Sequence, residues 1–555
     1  MKKSLSHASV DCKSPDFQIG AALRRPVWHG GQLMAYSGLE GPTDFAGALT
    51  LRTSFGVPGL DIMLPALGRI VFPRPTTTDN VFAGDWFSLG TDIRGVFLDT
   101  FHLLIKGPCD VASLAPGLSC AIRGDLTLIG ASPVFDAALI ATDVDHAIAG
   151  LKQWLQGRTI PPGLPVIRQE TLIKAMSVMK TQVYTPEGRI LHRWTTPDRW
   201  PHRRMWLWDS VFHAIGWRHL DPELARDSLD AVLDMQAPDG FVAHMMDPSS
   251  VSHITQPPIL ALGVQQVYRA NPVPGWIGAV YPKLCAYLEW DMANRDRDGA
   301  GLLEWAIEGD PFCRSGESGM DNSPRFDAAT QMDAVDFNSF LALECEIMAS
   351  FATQLGREAD AKRWTARHEN LCRLIVERLW SDELGFFVDY DNDRKMQSPV
   401  LASSGFLPLI CGAASPAQAG RLAALLQDPG KFGTALPVPS ISVCDKASYS
   451  KDMWRGPVWI NLNWLIALGF ERYGMNEIAK CLREKTMQEV ERACEKFGVM
   501  FEFYDDRRET EPPDLLRKGV CREGGNPAYH QVFHDYGWTA TLYVDMVYTT
   551  NRQEE

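Results

Sequence analysis

Residues 1 to about 160 contain short apolar runs but no sustained helical periodicity. Clusters rich in glycine and proline separate these runs, for example Gly56-Val57-Pro58-Gly59 and Pro73-Arg74-Pro75. Short apolar segments between turn clusters are typical of antiparallel strands, so this region is predicted to form a β-sandwich. The runs on which the prediction depends are Ala48-Leu49-Thr50-Leu51, Arg69-Ile70-Val71-Phe72, Trp86-Phe87-Ser88-Leu89, Gly95-Val96-Phe97-Leu98 and Phe101-His102-Leu103-Leu104-Ile105.

The pattern changes to a helical period at about residue 166. A helix is predicted over 143–156, and the proline-rich stretch 161–165 reads as a stiff linker. We therefore expect an N-terminal domain over 1–160 and a helical domain over 166–555, which makes the fold mainly α. The predicted helices of the second domain lie near 166–183, 206–219, 221–236, 255–270, 278–292, 335–356, 358–379, 402–411, 416–427, 457–473, 476–497 and 536–549.

The connections between these helices differ strongly in length. Some have one to three residues, whereas the segments 184–205, 237–254, 293–334, 428–456 and 498–535 are much longer. Short links favour antiparallel helix pairs, and long loops in a compact domain are usually functional. We expect a closed ring of helices with the long loops collected on one face. The sequence has no repeat of fixed length, which disfavours a solenoid.

Composition narrows the classes of function. The formal charge of −14 argues against nucleic acid or an anionic membrane as the partner. No apolar run approaches the roughly 20 residues that cross a bilayer, and the N-terminus lacks the apolar segment of a signal peptide. Twelve scattered cysteines without a CxxC pair disfavour a disulfide framework or a zinc site. These observations predict a cytoplasmic protein without a metal site, and they leave a homo-oligomer possible.

The segment from Glu317 to Asp327 carries three carboxylates within eleven residues, among small and turn-forming residues. One use of such a segment is a general acid, whose pKa has to be raised by burial or by a like-charged neighbour. On this view Glu317 and Asp327 are candidate neighbours of Asp321. The other interpretation is a surface turn with solvated acids.

Three further clusters lie at long loops or at the helix ends beside them. Trp208-Asp209 could bind a sugar through its hydroxyls and one apolar face, or Asp209 could simply stabilise a helix N-terminus. Trp454-Arg455 with Trp459 could hold a carboxylate of the site or of the substrate, or Arg455 could cap a carbonyl. The run Phe501-Glu502-Phe503 places one acid between two rings and offers a second catalytic carboxyl.

Together these motifs resemble glycoside hydrolase family 63, in particular its bacterial mannosylglycerate and glucosylglycerate hydrolases. The resemblance covers about 190–545 and rests on five motifs in the same order. They are Trp208-Asp209-Ser210, Thr255-Gln256-Pro257-Pro258, Glu317-Ser318-Gly319-Met320-Asp321-Asn322-Ser323-Pro324, Trp454-Arg455-Gly456-Pro457-Val458-Trp459 and Phe501-Glu502-Phe503-Tyr504. The family implies an (α/α)6 barrel and inversion at the anomeric carbon.

By position, Asp321 resembles the general acid of the family and Glu502 the general base. The residues that resemble sugar-binding positions are Trp208, Asp209, Gln256, Trp454 and Arg455, and further candidate contacts are Trp305, Glu317, Asn322 and Trp459. An inverting hydrolase needs one carboxyl protonated and the other ionised to activate water, which agrees with this assignment.

Two departures from the family pattern keep the substrate open. Cys313-Arg314-Ser315-Gly316 replaces a His-Pro-Trp-like run, and Met453 stands where an aromatic residue is common. The sequence therefore predicts an inverting hydrolase of a small α-glucoside or α-mannoside, which could be an oligosaccharide or a glycosylglycerate, without a cofactor. The alternatives are a disaccharide phosphorylase of similar architecture, which needs no base such as Glu502, and a non-catalytic sugar-binding protein.

Overall fold

The computed structural model describes residues 33–53, 59–73 and 80–554. The N-terminal segment, and most of the turn clusters at 56–59 and 73–75, lie outside the described residues. The N-terminal strands are β1 (Leu33–Ala35), β2 (Thr50–Thr53), β3 (Gly59–Leu64), β4 (Gly68–Val71), β5 (Asn80–Phe82), β6 (Trp86–Leu89), β7 (Ile93–Phe97), β8 (His102–Lys106), β9 (Asp110–Ser113), β10 (Leu118–Arg123) and β11 (Leu126–Ala131).

These strands form two antiparallel sheets, in the orders β1-β2-β3-β4-β9 and β10-β11-β8-β7-β6-β5. Alternate residues point to opposite faces of a strand, and in β3 the buried positions Leu60, Ile62 and Leu64 alternate with half-buried ones. Leu60 and Ile62 share one hydrophobic cluster with Leu103 and Ile105 of the other sheet. The predicted β-rich N-terminal region is thus confirmed.

The other face of the six-stranded sheet packs on helices. Val96 and Leu104 belong to the large hydrophobic core, together with Ile148 and Leu151 of helix α1 (Val144–Gln156). Asp143 caps α1 by accepting hydrogen bonds from the backbone amides of residues 145 and 146. The two regions therefore share a continuous apolar contact rather than a flexible connection.

The remaining helices agree closely with the helical periodicity of the sequence. They are α2 (Val166–Thr181), α3 (Leu207–Trp217), α4 (Pro222–Asp234), α5 (Leu260–Ala270), α6 (Trp276–Arg295), α7 (Val335–Gln354), α8 (Glu358–Leu379), α9 (Pro408–Cys411), α10 (Pro416–Gln427), α11 (Ile460–Arg472), α12 (Asn476–Phe497) and α13 (Gly537–Glu554). The helix predicted over 402–411 is instead a 3-10 turn, Ser403–Phe406, followed by the single helical turn α9.

The loops carry short strand pairs. These are β12 (Val183–Tyr184) with β13 (Trp194–Thr195), β14 (Met205–Trp206) with β15 (Met245–Met246), β17 (Trp380–Ser381) with β18 (Phe386–Phe387), and β16 (Met332–Asp333) with β19 (Tyr390–Asp391) and β20 (Met396–Gln397). Asp389 and Asp391, at the base of the hairpin of β19 and β20, are buried. Asp389 is buried because its carboxylate pairs with Arg325.

Six helices contact one another in a closed ring. Going round it, α3 contacts α5, α5 contacts α7, α7 contacts α9, α9 contacts α11, α11 contacts α13, and α13 contacts α3. Each of α4, α6, α8 and α12 packs against members of this ring, and α2 packs against α12 and α13. The long connections all lead into ring helices, so their ends meet at one end of the ring. None of the helices in the described part of the chain combines the length and apolarity needed to cross a bilayer.

Candidate active site

A cavity of about 70 Å³ opens at the end of the ring where the long loops meet. The residues that line it come from the first turns of α3 and α13 and from the loops before α3, α5, α7, α11 and α13. They are His202, Trp206, Trp208, Asp209, Gln256, Gly319, Asp321, Met453, Trp454, Trp459, Glu502, Arg517, Lys518, Tyr536 and Trp538. The cavity thus unites segments that are far apart in sequence.

Asp321 and Glu502 both line this cavity. The backbone carbonyl of Asp321 accepts hydrogen bonds from the amides of residues 314 and 315, which anchors its loop. Gly319 lies close under the indole of Trp208, with a backbone φ of +70°, and a Cβ there would lie 2.4 Å from the ring. Only glycine fits both the left-handed conformation and this close approach.

A lysine lies against the Asp321 carboxylate. The Nζ atom of Lys518 is 2.5 Å from Oδ2 of Asp321, and about a fifth of each side chain remains exposed. Burial lowers the pKa of Lys518, but the attraction of Asp321 outweighs it and the pKa lies above its usual value. Glu317 and Asp327, expected as neighbours of Asp321, are instead paired with Arg295 and Arg455.

An arginine holds Glu502 in the same way. Nε of Arg517 donates to Oε2 of Glu502 at 2.7 Å, and Nη2 donates to Oε1 at 3.2 Å. Burial raises the pKa of Glu502, and the guanidinium of Arg517 opposes that rise. The backbone amide of Phe533 also donates to Oε2, and the Phe533 ring lies 3.7 Å from the Arg517 guanidinium carbon. Both side chains of the pair are buried, so the ion pair is shielded from bulk water.

Tryptophans form one wall of the cavity. Trp454 and Trp459 stack with centroids 3.7 Å apart and an angle of 2° between their planes. Nε1 of Trp459 donates to the carbonyl of Met453, and Trp538 meets the Trp208 ring edge-on. A rigid apolar wall beside carboxylates is the arrangement that binds the apolar face of a sugar and its hydroxyls together.

Asp209 lies at the start of α3, where it is buried. Tyr536 donates a hydrogen bond of 3.3 Å to its carboxylate, and burial raises the pKa of Asp209 well above its usual value. The side-chain oxygen of Gln256 accepts from the amide of Trp208. Asp198 acts electrostatically on Asp209, and burial raises the pKa of Asp198 to about 7.

Four of the predicted site residues lie outside the cavity lining. Trp305 stacks on Phe337 and donates to Asp336. Glu317 accepts from Arg295 and from the amides of residues 255 and 306.

The other two residues, Asn322 and Arg455, contact the segment that carries Trp454. Asn322 accepts from the amide of Trp454, and Arg455 donates to the Asn322 carbonyl and to the Asp327 carboxylate. All four side chains are therefore engaged with protein groups, and only Asn322 and Arg455 are shown to hold the segment that carries Trp454.

Sequence reasoning did not select several of the residues that line the cavity. Arg517 and Lys518 lie within a long polar loop whose pattern carries no motif. Tyr536 and Trp538 flank the start of α13, where an aromatic pair beside a glycine was the available signal. His202 precedes the Trp208 motif by six positions, and burial lowers its pKa well below its usual value, which leaves the ring neutral.

One group of carboxylates could in principle hold a metal. In the described part of the chain, ligand atoms of Asp298, Glu304 and Asp333 lie within 4.8 Å of one another. Arg378 pairs with Asp333, and Asn392 donates to both Asp333 and Glu304. The group is therefore already compensated by a guanidinium and an amide, away from the cavity.

The chain is similar to known proteins over most of its helical region. A family model described as the mannosylglycerate hydrolase MGH1-like glycoside hydrolase domain matches residues 201–539. The chain is 27% identical over 382 residues to the mannosylglycerate hydrolase of Thermus thermophilus, spanning 54% of this chain and 89% of that protein. It is 24% identical over 423 residues to the glucosylglycerate hydrolase of Mycolicibacterium hassiacum, spanning 58% and 91%.

Among solved structures, the chain is similar to a GH63 mannosylglycerate hydrolase from Thermus thermophilus in complex with glucose. The TM-score is 0.54 at 26% sequence identity, and the match covers 67% of this chain and 98% of that one.

Proposed function

Because this chain belongs to the mannosylglycerate hydrolase MGH1-like glycoside hydrolases of family GH63, we propose that it hydrolyses a small α-glucoside or α-mannoside with inversion. That it is a glycoside hydrolase follows from the family itself. The general acid is Asp321, and the general base is Glu502. The observation that carries the proposal is the presence of these two carboxyls in one cavity beside a wall of tryptophans.

The surroundings of Glu502 support its role as the base. A general base has to be ionised to take a proton from water. Burial alone favours the neutral form of Glu502, and Arg517 counteracts this. The ion pair therefore favours the carboxylate form of Glu502 in this buried position. In an inverting hydrolase this carboxylate activates the attacking water on the sugar face opposite the leaving group.

The acid acts on the other side of the scissile bond. Asp321 gives its proton to the glycosidic oxygen as the bond to the aglycone breaks. Asp209 and Gln256 bind sugar hydroxyls, while Trp454 and Trp208 cover the apolar face of the ring. A neutral Asp209 with its raised pKa can donate as well as accept a hydrogen bond.

The relatives indicate the class of aglycone. Two of them are a mannosylglycerate hydrolase and a glucosylglycerate hydrolase, and both match this chain across most of their length. We extend the proposal to glycosides whose aglycone is a small hydroxy acid such as glycerate. The closed ring of α3, α5, α7, α9, α11 and α13 we assign to the (α/α)6 barrel, with the catalytic domain over 166–555 and the sheets of 1–160 as a β-sandwich domain.

The test is hydrolysis of α-glucosides and α-mannosides, including the glycerate conjugates, followed by proton NMR. We expect the β-anomer of the sugar to form first. The α-anomer as first product would exclude inversion. Turnover that requires inorganic phosphate would identify a phosphorylase, and binding of every glycoside without cleavage would identify a sugar-binding protein.

A further inference from the structure

Two consecutive residues of one loop each contact one of the two candidate catalytic carboxyls. Arg517 pairs with Glu502, and Lys518 pairs with Asp321. The two cations differ in their other contacts. Arg517 also donates to the carbonyl of Tyr529 at 2.7 Å and packs on the Phe533 ring, so it is held from several sides. The ammonium of Lys518 has three donors, and its side chain is 18% exposed towards the cavity.

The pairing of Lys518 with Asp321 conflicts with general acid catalysis. A general acid has to carry the proton that it will give to the leaving group. The attraction of Asp321 raises the pKa of Lys518, so the lysine keeps its proton and remains a cation beside Asp321. In the free enzyme the Asp321 side chain is therefore engaged with an ammonium at 2.5 Å.

The other titratable groups that face Asp321 do not change this charge balance. Burial lowers the pKa of His244 to about 4, so its ring is neutral at neutral pH. Burial raises the pKa of the Cys313 thiol far above its usual range, so this side chain is also neutral. Asp321 attracts both Lys518 and Arg517, and Arg517 is already bound to Glu502.

We propose that Lys518 is the specificity-determining residue of the site, which selects an anionic aglycone by exchanging its counter-ion. When such a substrate binds, the carboxylate of the aglycone takes the place of Asp321 beside the ammonium. Asp321 is then no longer held in the ion pair and is left to act on the glycosidic oxygen. The inference rests on the proposed function of Asp321.

The positions of Asp321 and Lys518, as well as their charges, support this exchange. Asp321 has to lie beside the glycosidic oxygen in the reactive complex, so the aglycone lies next to it. An ammonium 2.5 Å from Asp321 is therefore within reach of a carboxylate one or two bonds beyond that oxygen. A neutral aglycone offers no counter-ion and leaves Lys518 paired with Asp321.

The experiment compares α-glycosylglycerate with the matching α-glycosylglycerol, in which a hydroxymethyl group replaces the carboxylate. The wild-type enzyme is expected to prefer the glycerate conjugate in kcat/KM. Lys518→Met is expected to reduce that preference about ten- to hundredfold, the range for one lost charge-assisted hydrogen bond, whereas Lys518→Arg keeps a large part of it. Lys496→Met is the matched control, because Lys496 pairs with Glu511 outside the cavity.

The ratio between the two substrates separates the possible outcomes. An equal fall on both substrates in Lys518→Met, or an unchanged ratio, would overturn the proposal and leave Lys518 a structural role. A wild-type enzyme that cleaves neither glycoside would instead count against the proposed function.

Discussion

The guanidinium of Arg517 holds both carboxylate oxygens of Glu502, with Nε 2.7 Å from Oε2 and Nη2 3.2 Å from Oε1. Both side chains are buried. A buried ion pair contributes little to stability, but removal of one partner leaves an uncompensated charge. In this cavity the arginine opposes the rise that burial causes in the pKa of the glutamate.

Replacement of Arg517 by methionine should therefore move the acid limb of the pH profile. Arg517 opposes the effect of burial on the pKa of Glu502, so its loss raises that pKa further. Because a base works only when ionised, the variant should lose activity at a higher pH than the wild type as the pH is lowered. We expect the acid limb of kcat/KM to shift to higher pH by about one pH unit or more. Arg517→Lys keeps a cation, so its acid limb should shift less. An acid limb that does not move in Arg517→Met would exclude this effect of Arg517 on Glu502.

Substitution of the two carboxyls tests the catalytic assignment. Asp321→Asn and Glu502→Gln should each reduce hydrolysis by roughly 10²–10⁴-fold or more, while thermal unfolding remains cooperative. Glu509→Gln is a matched control, because this residue lies in the same segment as Glu502 but outside the cavity. Near-normal turnover in either site variant would remove that residue from its role.

Glu344 should make the stability of the protein depend on pH. Its carboxyl is buried against the first turn of α5, where it accepts from the amides of Ala261 and Leu262, and burial raises its pKa to about 8. Because the pKa of Glu344 is higher in the folded state than in the unfolded state, its protonation stabilises the folded protein. This stabilisation is complete at pH values below the unfolded pKa near 4.5, and it is lost as the pH rises towards 8. The slope contributed by one such group is up to about 1.4 kcal/mol per pH unit.

Glu344→Gln keeps an acceptor oxygen but cannot titrate. Its melting temperature should fall less between pH 5 and 8 than that of the wild type. Glu346→Gln, on the exposed side of the same helix and paired with Arg472, is the control and should follow the wild type. Parallel curves for all three proteins would show that Glu344 does not titrate in this range.

Arg325 should be important for stability rather than for substrate binding. It pairs with Asp336 at 2.6 Å and with Asp389 at 2.7 Å, and all three side chains are buried. Arg325→Met leaves two buried carboxylates without a partner, so we expect a loss of about 3–5 kcal/mol in the free energy of unfolding. Arg373→Met breaks an exposed pair with Glu377 and should change little. Denaturant unfolding measures the loss in the free energy of unfolding for both variants. Similar losses in the two variants would contradict this role of Arg325.

Much of the fold is visible in the sequence because helical periodicity is a local property. The helices over 358–379 and 476–497 have the predicted bounds, since each repeats apolar residues every three to four positions after a short link to the preceding helix. The long connections indicated which end of the ring carries the site. Seven of the predicted site residues line one cavity: Trp208, Asp209, Gln256, Asp321, Trp454, Trp459 and Glu502.

The tertiary structure alone decides which charged groups meet. Nothing local distinguishes Lys518 from the other cations of its loop, yet it reaches Asp321, while Arg455 pairs with Asp327 behind the cavity wall. The partner of a flexible charged side chain depends on the relative positions of loops that many distant contacts hold in place. The sequence by itself therefore determined the elements and the segments that converge, because periodicity and spacing act over a few residues. Folding decided the ionic partners, because Coulomb attraction depends on distance in space and not on separation along the chain.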